Sequence, residues 1–389
     1  MQRETWDDLS TNAEQAYLTH SVFRYFGKLP PTLTRRILSE LGVGSGTRVT
    51  DVMCGSGTTL VEAIDLGATA VGVDCNDLSV LISKVKTTPL SDTQFLDLKR
   101  QIRFTFKDEL ALGDFLDGKE LTGFRNIGAD DLPKIRNLDH WFSPLTAMVL
   151  ARIRSWLWTL PDGPEREAAM VAYAASIRPA SRASVRTGRL FVDVDKKLPN
   201  PVLELERRLG RVQEAVTRLS SLSNWQHPTR TVVVGDARNT GLDRATADVV
   251  FCHPPYFALY KYSSDPLRFE LDWLGLNRKA IASREVEDGF KTTDESLVID
   301  HLKDMARVAE EARRIAAPGG KFVVVTADST LRKQKLDILN PLIDDASKVG
   351  WKLTRRILRK VRYAQASYHR SADKDIQRPD DEIMIFEAA

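Results

Sequence analysis

Four consecutive features between residues 48 and 74 constrain this chain more than any others. Arg48-Val-Thr-Asp-Val-Met53 has the alternation of a short buried strand and runs straight into the glycine-rich turn Cys54-Gly55-Ser56-Gly57. From Thr58 the run TTLVEAIDLG has helical spacing and is closed by Gly67, and Ala70-Val-Gly-Val-Asp74 follows as a second strand ending on an acid. Strand, glycine turn, helix and strand make the βαβ unit of a doubly wound parallel sheet.

The alternation stops near residue 90. Long helical periodicities take over, notably Ser143–Leu160 and Pro201–Leu222. Strand patterns resume at Thr231–Asp236 and Ala247–Cys252, followed by a helical stretch over 297–316, the strand Lys321–Thr326 and a last strand at Asp381–Phe386. The expected fold is therefore α/β: a Rossmann-like sheet built from residues 1–89 and 229–389, interrupted by a mostly helical insertion over 90–228. That insertion is too long for a simple loop and reads as a subdomain. A helix over Thr32–Leu41 is expected to enter through Pro30-Pro31, and residues 1–20 read as polar and peripheral.

Bulk properties exclude several classes. The net charge of +3 is not that of a polycation, so partners must be read from charge placement. The cysteines are Cys54, Cys75 and Cys252, an odd, unpaired set that suits a reducing cytosol rather than a disulfide scaffold. Cys252-His253 alone cannot cage a metal, and no metal centre is expected. No apolar leader or span of about 18 apolar residues is present, so the chain reads as soluble and cytoplasmic, with no membrane partner.

The glycine turn brings backbone close to a ligand and opens a helix N-terminus, which favours an anionic group. Asp74 lies at the end of the next strand, where a carboxylate can accept from both hydroxyls of a ribose. A dinucleotide enzyme would satisfy the same pattern, and so would a tight turn with no ligand. The third glycine of the dinucleotide motif is missing, because Gly57 is followed by Thr58-Thr-Leu. A second motif dehydrogenases lack, Cys252-His253-Pro254-Pro255-Tyr256, follows another strand at its carboxyl end.

Asp51-Val-Met-Cys54-Gly55-Ser56-Gly57-Thr58 resembles the D-P-F-x-G-S-G-T motif of AdoMet-dependent DNA amino-methyltransferases, which make N4-methylcytosine or N6-methyladenine. Val52 and Met53 depart from the usual Pro and Phe. Upstream, Tyr25-Phe26-Gly-Lys28-Leu-Pro30-Pro31 is similar to the family's K-x-P-P segment, and Val234-Gly-Asp236 to the segment whose acid contacts adenine. The resemblance covers about half the chain. It implies S-adenosyl-L-methionine held by Phe26, Lys28, Pro30, Asp51, Cys54, Gly55, Ser56, Gly57, Thr58, Asp74 and Asp236. It further implies double-stranded DNA as partner, with the target base flipped out. A restriction or phage-defence partner is not legible.

His253-Pro254-Pro255-Tyr256 resembles the family's [D/N/S/T]-P-P-[Y/F] catalytic motif. An exocyclic amine is a poor nucleophile because its lone pair is delocalised. Acceptors placed against its N–H groups stabilise the charge that grows on nitrogen. By resemblance those acceptors are the His253 side chain and the Pro254 carbonyl, held stiffly by two prolines, while Tyr256 stacks on the base. Histidine here is unusual. Neutral imidazole accepts one hydrogen bond and imidazolium accepts none, so activity is expected to fall at acidic pH, with a difference between pH 8 and pH 5. The absence of a carboxylate or carboxamide points to cytosine N4 ahead of adenine N6. A guanine-N2 tRNA enzyme, a release-factor methyltransferase and a non-catalytic relic are rival readings.

Two basic runs suit phosphate. Arg178, Arg182, Arg186, Arg189, Lys196 and Lys197 are expected to form a DNA-binding loop in the insertion. The second run, Lys352–Arg362, suits phosphate or an ordinary sheet face equally. Tyr260, Tyr262, Phe269, Glu270 and Trp273 follow the catalytic motif and read as part of a base pocket or lip. Trp141-Phe142 and Trp156–Trp158 read as core.

Overall fold

The structure is a computed structural model. It describes residues 3–7, 13–116, 132–186, 190–225, 229–259, 261–289, 294, 296–331, 334–360 and 380–389. The N-terminal part holds β1 (Glu4–Asp7), α1 (Pro31–Glu40), β2 (Arg48–Asp51), α2 (Thr58–Asp65), β3 (Thr69–Asp74) and α3 (Asp77–Lys86). The insertion carries α4 (Asp92–Thr105), α5 (Lys107–Leu110), α6 (Leu138–Trp141), α7 (Pro144–Leu157), α8 (Pro164–Ala180) and α9 (Pro201–Leu219). Then come β4 (Arg230–Val234), β5 (Ala247–Cys252), α10 (Arg268–Leu274), α11 (Arg278–Ala282), α12 (Leu297–Ile315) and β6 (Ala316–Thr326). A small hairpin, β7 (Ser329–Leu331) and β8 (Gln334–Leu336), precedes α13 (Leu339–Lys348), β9 (Trp351–Lys360) and β10 (Asp381–Ala388).

The sheet runs in the order β1-β9-β10-β6-β5-β2-β3-β4. From β2 the winding goes outward through β3 to β4, then restarts on the other side with β5 and β6. The carboxyl ends of β2 and β5 therefore flank the reversal, where a crevice must open. β10 is antiparallel to both neighbours, inserted between β6 and β9.

Period-two alternation sorts the central strands between two cores. Val249, Phe251, Val323, Val325, Ile383 and Ile385 face one, with α1, α2, α3 and the insertion. Val250, Cys252, Phe322, Val324, Met384 and Phe386 face the other, with α12 and α13. The first cluster is continuous from the sheet through Phe95, Val149, Val171 and Leu209, so the insertion shares the core of the sheet at its boundary near residue 90. Burying each such side chain stabilises the fold by about 1.5–3 kcal/mol.

Helix ends follow local chemistry. Ser143 caps α7 by accepting from Thr146 N, and Asn200 caps α9 by accepting from Val202 N. Pro318-Gly-Gly320 is a bulge inside β6, where pairing jumps from Ala247↔Ala316 to Val249↔Lys321.

The N-terminus is less peripheral than its polarity suggests. β1 lies parallel to β9, and Trp6 is buried beneath Arg36, whose guanidinium sits 3.7 Å from the ring centroid. Tyr17 and His20 both reach the buried Glu62 of α2 at 2.6 Å, where Arg35 also donates at 3.0 Å. The basic run 352–362 belongs to β9 as far as Lys360, and acids meet its arginines. Arg355 pairs with Glu4 and Glu40, Arg356 with Glu382, and Arg359 with Asp381. Arg362 lies outside the described residues.

No helix among the described residues is long and apolar enough to cross a membrane. One close approach fixes how α2 sits on the sheet: a Cβ added at Gly72 would come within 2.6 Å of Leu60 Cδ1 and 3.1 Å of Cys54 Sγ. Gly72→Val should therefore destabilise the protein by ~1–3 kcal/mol through overpacking, read as a lower denaturation midpoint. An unchanged midpoint would mean α2 can move away freely.

Candidate functional site

The crevice at the winding reversal is a cavity of about 1090 Å3. Its wall contains Phe26, Lys28, Pro30, Asp51, Cys54, Gly55, Ser56, Thr58 and Asp74, and also His253, Pro254, Pro255 and Tyr256. Residues 200 positions apart in sequence thus meet because β2 and β5 are hydrogen-bonded neighbours, Asp51 opposite Phe251. Gly57 sits behind the wall as the left-handed N-cap of α2 (φ +73°), where a Cβ would lie 2.8 Å from Ser83 Oγ.

Asp74 ties the turn down. Its Oδ2 accepts from Gly55 N at 2.8 Å and its Oδ1 from Asn76 N at 2.9 Å. Lys86, almost wholly buried, donates to the Ser56 carbonyl at 2.6 Å, and Lys28 donates to the His20 carbonyl at 2.7 Å. Burial dominates the electrostatics of this floor. It pushes Asp51 up to about 7 and Asp74 up to about 6, and Lys28 down to about 8. Ser56 Oγ, Thr58 Oγ1 and Asn76 Nδ2 are buried here without a hydrogen-bond partner, although their residues line the cavity. Buried polar atoms are normally satisfied, so this cluster fits a polar ligand with several hydroxyl and amine groups. Two acids and unpaired donors beside a glycine turn suit the ribose and the amino-acid end of AdoMet.

Asp236 is placed differently from the sequence expectation of an adenine contact. Its carboxylate is held by Arg238 at 2.7 Å, which also bonds Asp304 at 2.8 Å, and the next residue, Ala237, lines the cavity.

On the other side of the reversal, His253 directly follows β5, its Nε2 3.4 Å from the Tyr256 hydroxyl and the two rings edge-to-face. Burial pushes the imidazole down to about 4; Asp381 acts against this and Arg359 with it. The ring is therefore neutral at physiological pH and can accept a hydrogen bond. The acid loss expected between pH 8 and pH 5 moves below that window for this group.

The six basic residues expected to form a loop separate into different roles. Arg178 donates to the Ser184 carbonyl at 3.0 Å, and Lys196 bonds the carbonyls of Arg178, Ser181 and Ala183 at 2.9, 2.6 and 2.7 Å, so both brace the loop from inside. Arg182 bonds the carbonyls of Asp139 and His140. Arg186 and Lys197 are exposed, and Arg189 lies outside the described residues. Sequence reasoning missed Arg207, Arg208 and Arg211 of α9, which line the cavity with Arg24; Arg207 and Arg208 are ion-paired with Glu204. Their i, i+1, i+4 spacing was the available signal. Of the aromatics read as core, Phe142 and Trp156 are buried, whereas Trp158 is exposed under Arg166. Trp141 packs edge-to-face on Phe269. Tyr262 stacks on Tyr25 and donates to the Phe26 carbonyl at 2.8 Å, and Tyr260 lies outside the described residues.

No protein-family model matches the chain. It is 24% identical over 262 residues to type II methyltransferase M.MvaI of Kocuria varians, covering 64% of this chain and 55% of that protein, a little over half its length. It is 20% identical over 409 aligned positions to type II methyltransferase M.MjaII of Methanocaldococcus jannaschii, covering 85% of this chain and 76% of that protein. Among solved structures, TrmN from Thermus thermophilus aligns over 94% of this chain and 50% of its own at 12% identity, with a TM-score of 0.34, too loose an overlap to add to the argument. The chain is thus similar in sequence to two type II methyltransferases, and it carries that similarity on a sheet whose winding reverses between the Cys54–Gly57 turn and the His253–Tyr256 loop.

Proposed function

We propose that this protein transfers a methyl group from AdoMet to an exocyclic amino nitrogen of a base flipped out of double-stranded DNA, with cytosine N4 ahead of adenine N6. One observation carries the reading: the Asp51–Thr58 turn and His253-Pro254-Pro255-Tyr256 line the same cavity. AdoMet, when bound, supplies a methyl group on a positively charged sulfur.

The chain's own residues do the rest. Asp74 has lone pairs left for ribose hydroxyls, Ser56, Thr58 and Asn76 offer unpaired polar atoms, and Lys28 offers a cation to a carboxylate. Neutral His253 and the Pro254 carbonyl accept from the amine and favour the charge that develops on nitrogen. Tyr256 offers a ring for stacking. A base inside a duplex cannot reach a recessed cavity, so extrusion is required. Lys197 and Arg211, exposed residues of the cavity lining, suit the phosphates on either side of that base. A restriction or phage-defence partner, as the company of type II methyltransferases suggests, is part of the same proposal.

The deciding experiment incubates the protein with isotopically labelled AdoMet and unmodified DNA or tRNA, then digests and identifies the labelled nucleoside by mass spectrometry. N4-methylcytosine in DNA is the expected product. Label in N6-methyladenine corrects the base, and label only in tRNA overturns the DNA reading. Lys197→Ala with Arg211→Ala should reduce the salt dependence of DNA binding by a slope of about 2, leaving AdoMet binding intact. An unchanged slope would remove these residues from the interface.

The pH profile tests His253. An imidazole titrating near 4 should support activity unchanged from pH 8 to about 5, with loss only below that. Unfolded, the same group titrates near 6.5, so the unfolded chain binds the extra proton between these values. Stability contributed by this group is present above 6.5 and lost as pH falls through 4. Circular dichroism across the same range separates unfolding from loss of the acceptor. A loss of activity centred near 6.5 in folded protein would contradict a buried, neutral His253.

A further inference from the structure

Glu270 stands on α10 with 5% of its surface exposed, and it forms part of the cavity wall. Acids this far inside a protein are normally paired. Glu62, Glu109, Glu204, Glu311 and Glu382 are just as buried, and each forms an ion pair with an arginine. Among the described residues Glu270 has no such pair. Burial raises its carboxyl to about 7, against the pull of the Arg178 guanidinium at the end of α8, with Asp272 on its own helix adding to the rise. The group can therefore donate as well as accept, a combination only a neutral acid offers among carboxyls.

The helix is well held. Phe269 and Trp273, its neighbours on α10, pack edge-to-face on Phe142, so the carboxyl is presented to the cavity from a rigid wall rather than from a loop. The cavity holds the catalytic loop as well as the cofactor floor, and a base stacked on Tyr256 has one edge left to be read. On the methyltransferase reading, which this inference rests on, we propose that Glu270 contacts the Watson–Crick edge of the extruded base. Its carboxylic O–H would donate to the ring nitrogen beside the amino-bearing carbon, N3 of cytosine or N1 of adenine. Thymine N3 and guanine N1 carry hydrogens at the equivalent place and would oppose that donor. The residue would thus favour the two bases that combine an amino group with a neighbouring acceptor.

The test uses the full chain, AdoMet, and duplexes containing the methylated site once it has been mapped. One duplex carries the natural base and the other its deaza analogue, 3-deazacytosine or 1-deazaadenine, which keeps the amino group and loses the acceptor. For the wild type, kcat/KM should fall on the order of 10- to 100-fold on the analogue. Glu270→Ala should show a similar loss on the natural base and no further loss on the analogue. Glu270→Gln, whose amide still donates, should recover most of the natural rate. AdoMet titration of each variant establishes that the site has folded. A Glu270→Ala protein that matches wild type, or that keeps the full deaza penalty, overturns the role of Glu270 and leaves the methyltransferase reading standing. Wild type that labels no nucleoside overturns both.

Discussion

The site depends on the carboxylate of Asp74. It ends β3, yet its two oxygens are spent on the backbone of the turn after β2 and of the segment leading into α3. Parallel strands fix only their own register, and nothing in a β ladder dictates where the loops beyond it point. Asp74 supplies that instruction. It holds the turn against the neighbouring strand, so that the cavity forms at the one place where the winding reverses. Burial makes the carboxyl reluctant to ionise, and the two amides that donate to it work in the opposite sense.

The charge of the cavity is divided by depth. Asp51 and Asp74 are enclosed by the glycine turn, while the exposed cations of the lining lie elsewhere, at Arg24 on the N-terminal segment, at Lys197, and at Arg211 on α9. A net charge of +3 conceals this division, because cations elsewhere face acids, as Arg355 does Glu4 and Glu40 and Arg356 does Glu382. Enclosed acids and exposed cations share one cavity because they are separated, and the insertion carries Lys197 and Arg211 on the exposed side. Sharing one apolar cluster with the sheet, it holds those cations in place.

Much of the fold was legible. The βαβ unit around Cys54–Gly57, the boundaries of α9 and α12, and the last strand follow from periodicity and turn chemistry, which act over a few residues. The His253–Tyr256 loop was legible for the same reason: two prolines after an apolar strand announce a rigid turn at the strand's carboxyl end. The bulge at Pro318–Gly320 was not legible, because a Pro-Gly-Gly run makes a turn or a kinked strand with equal ease, and pairing with β5 selected the second. The burial of His20 and the half-burial of Tyr17 were not visible, since only contact with Glu62, more than forty residues away, makes polar side chains at home there.

By itself the sequence determined the elements, the glycine turn and the identity of the chemical groups. Tertiary structure decided which charges were spent on one another. Arg178 and Lys196 brace a loop, Asp236 answers Arg238, and the arginines of β9 meet acids, whereas Glu270 lines the cavity with no arginine ion pair among the described residues. The physical reason is range. Periodicity and turns are local properties of the chain, but the pairing of an ionised group depends on whichever distant residue packing brings within about 4 Å of it.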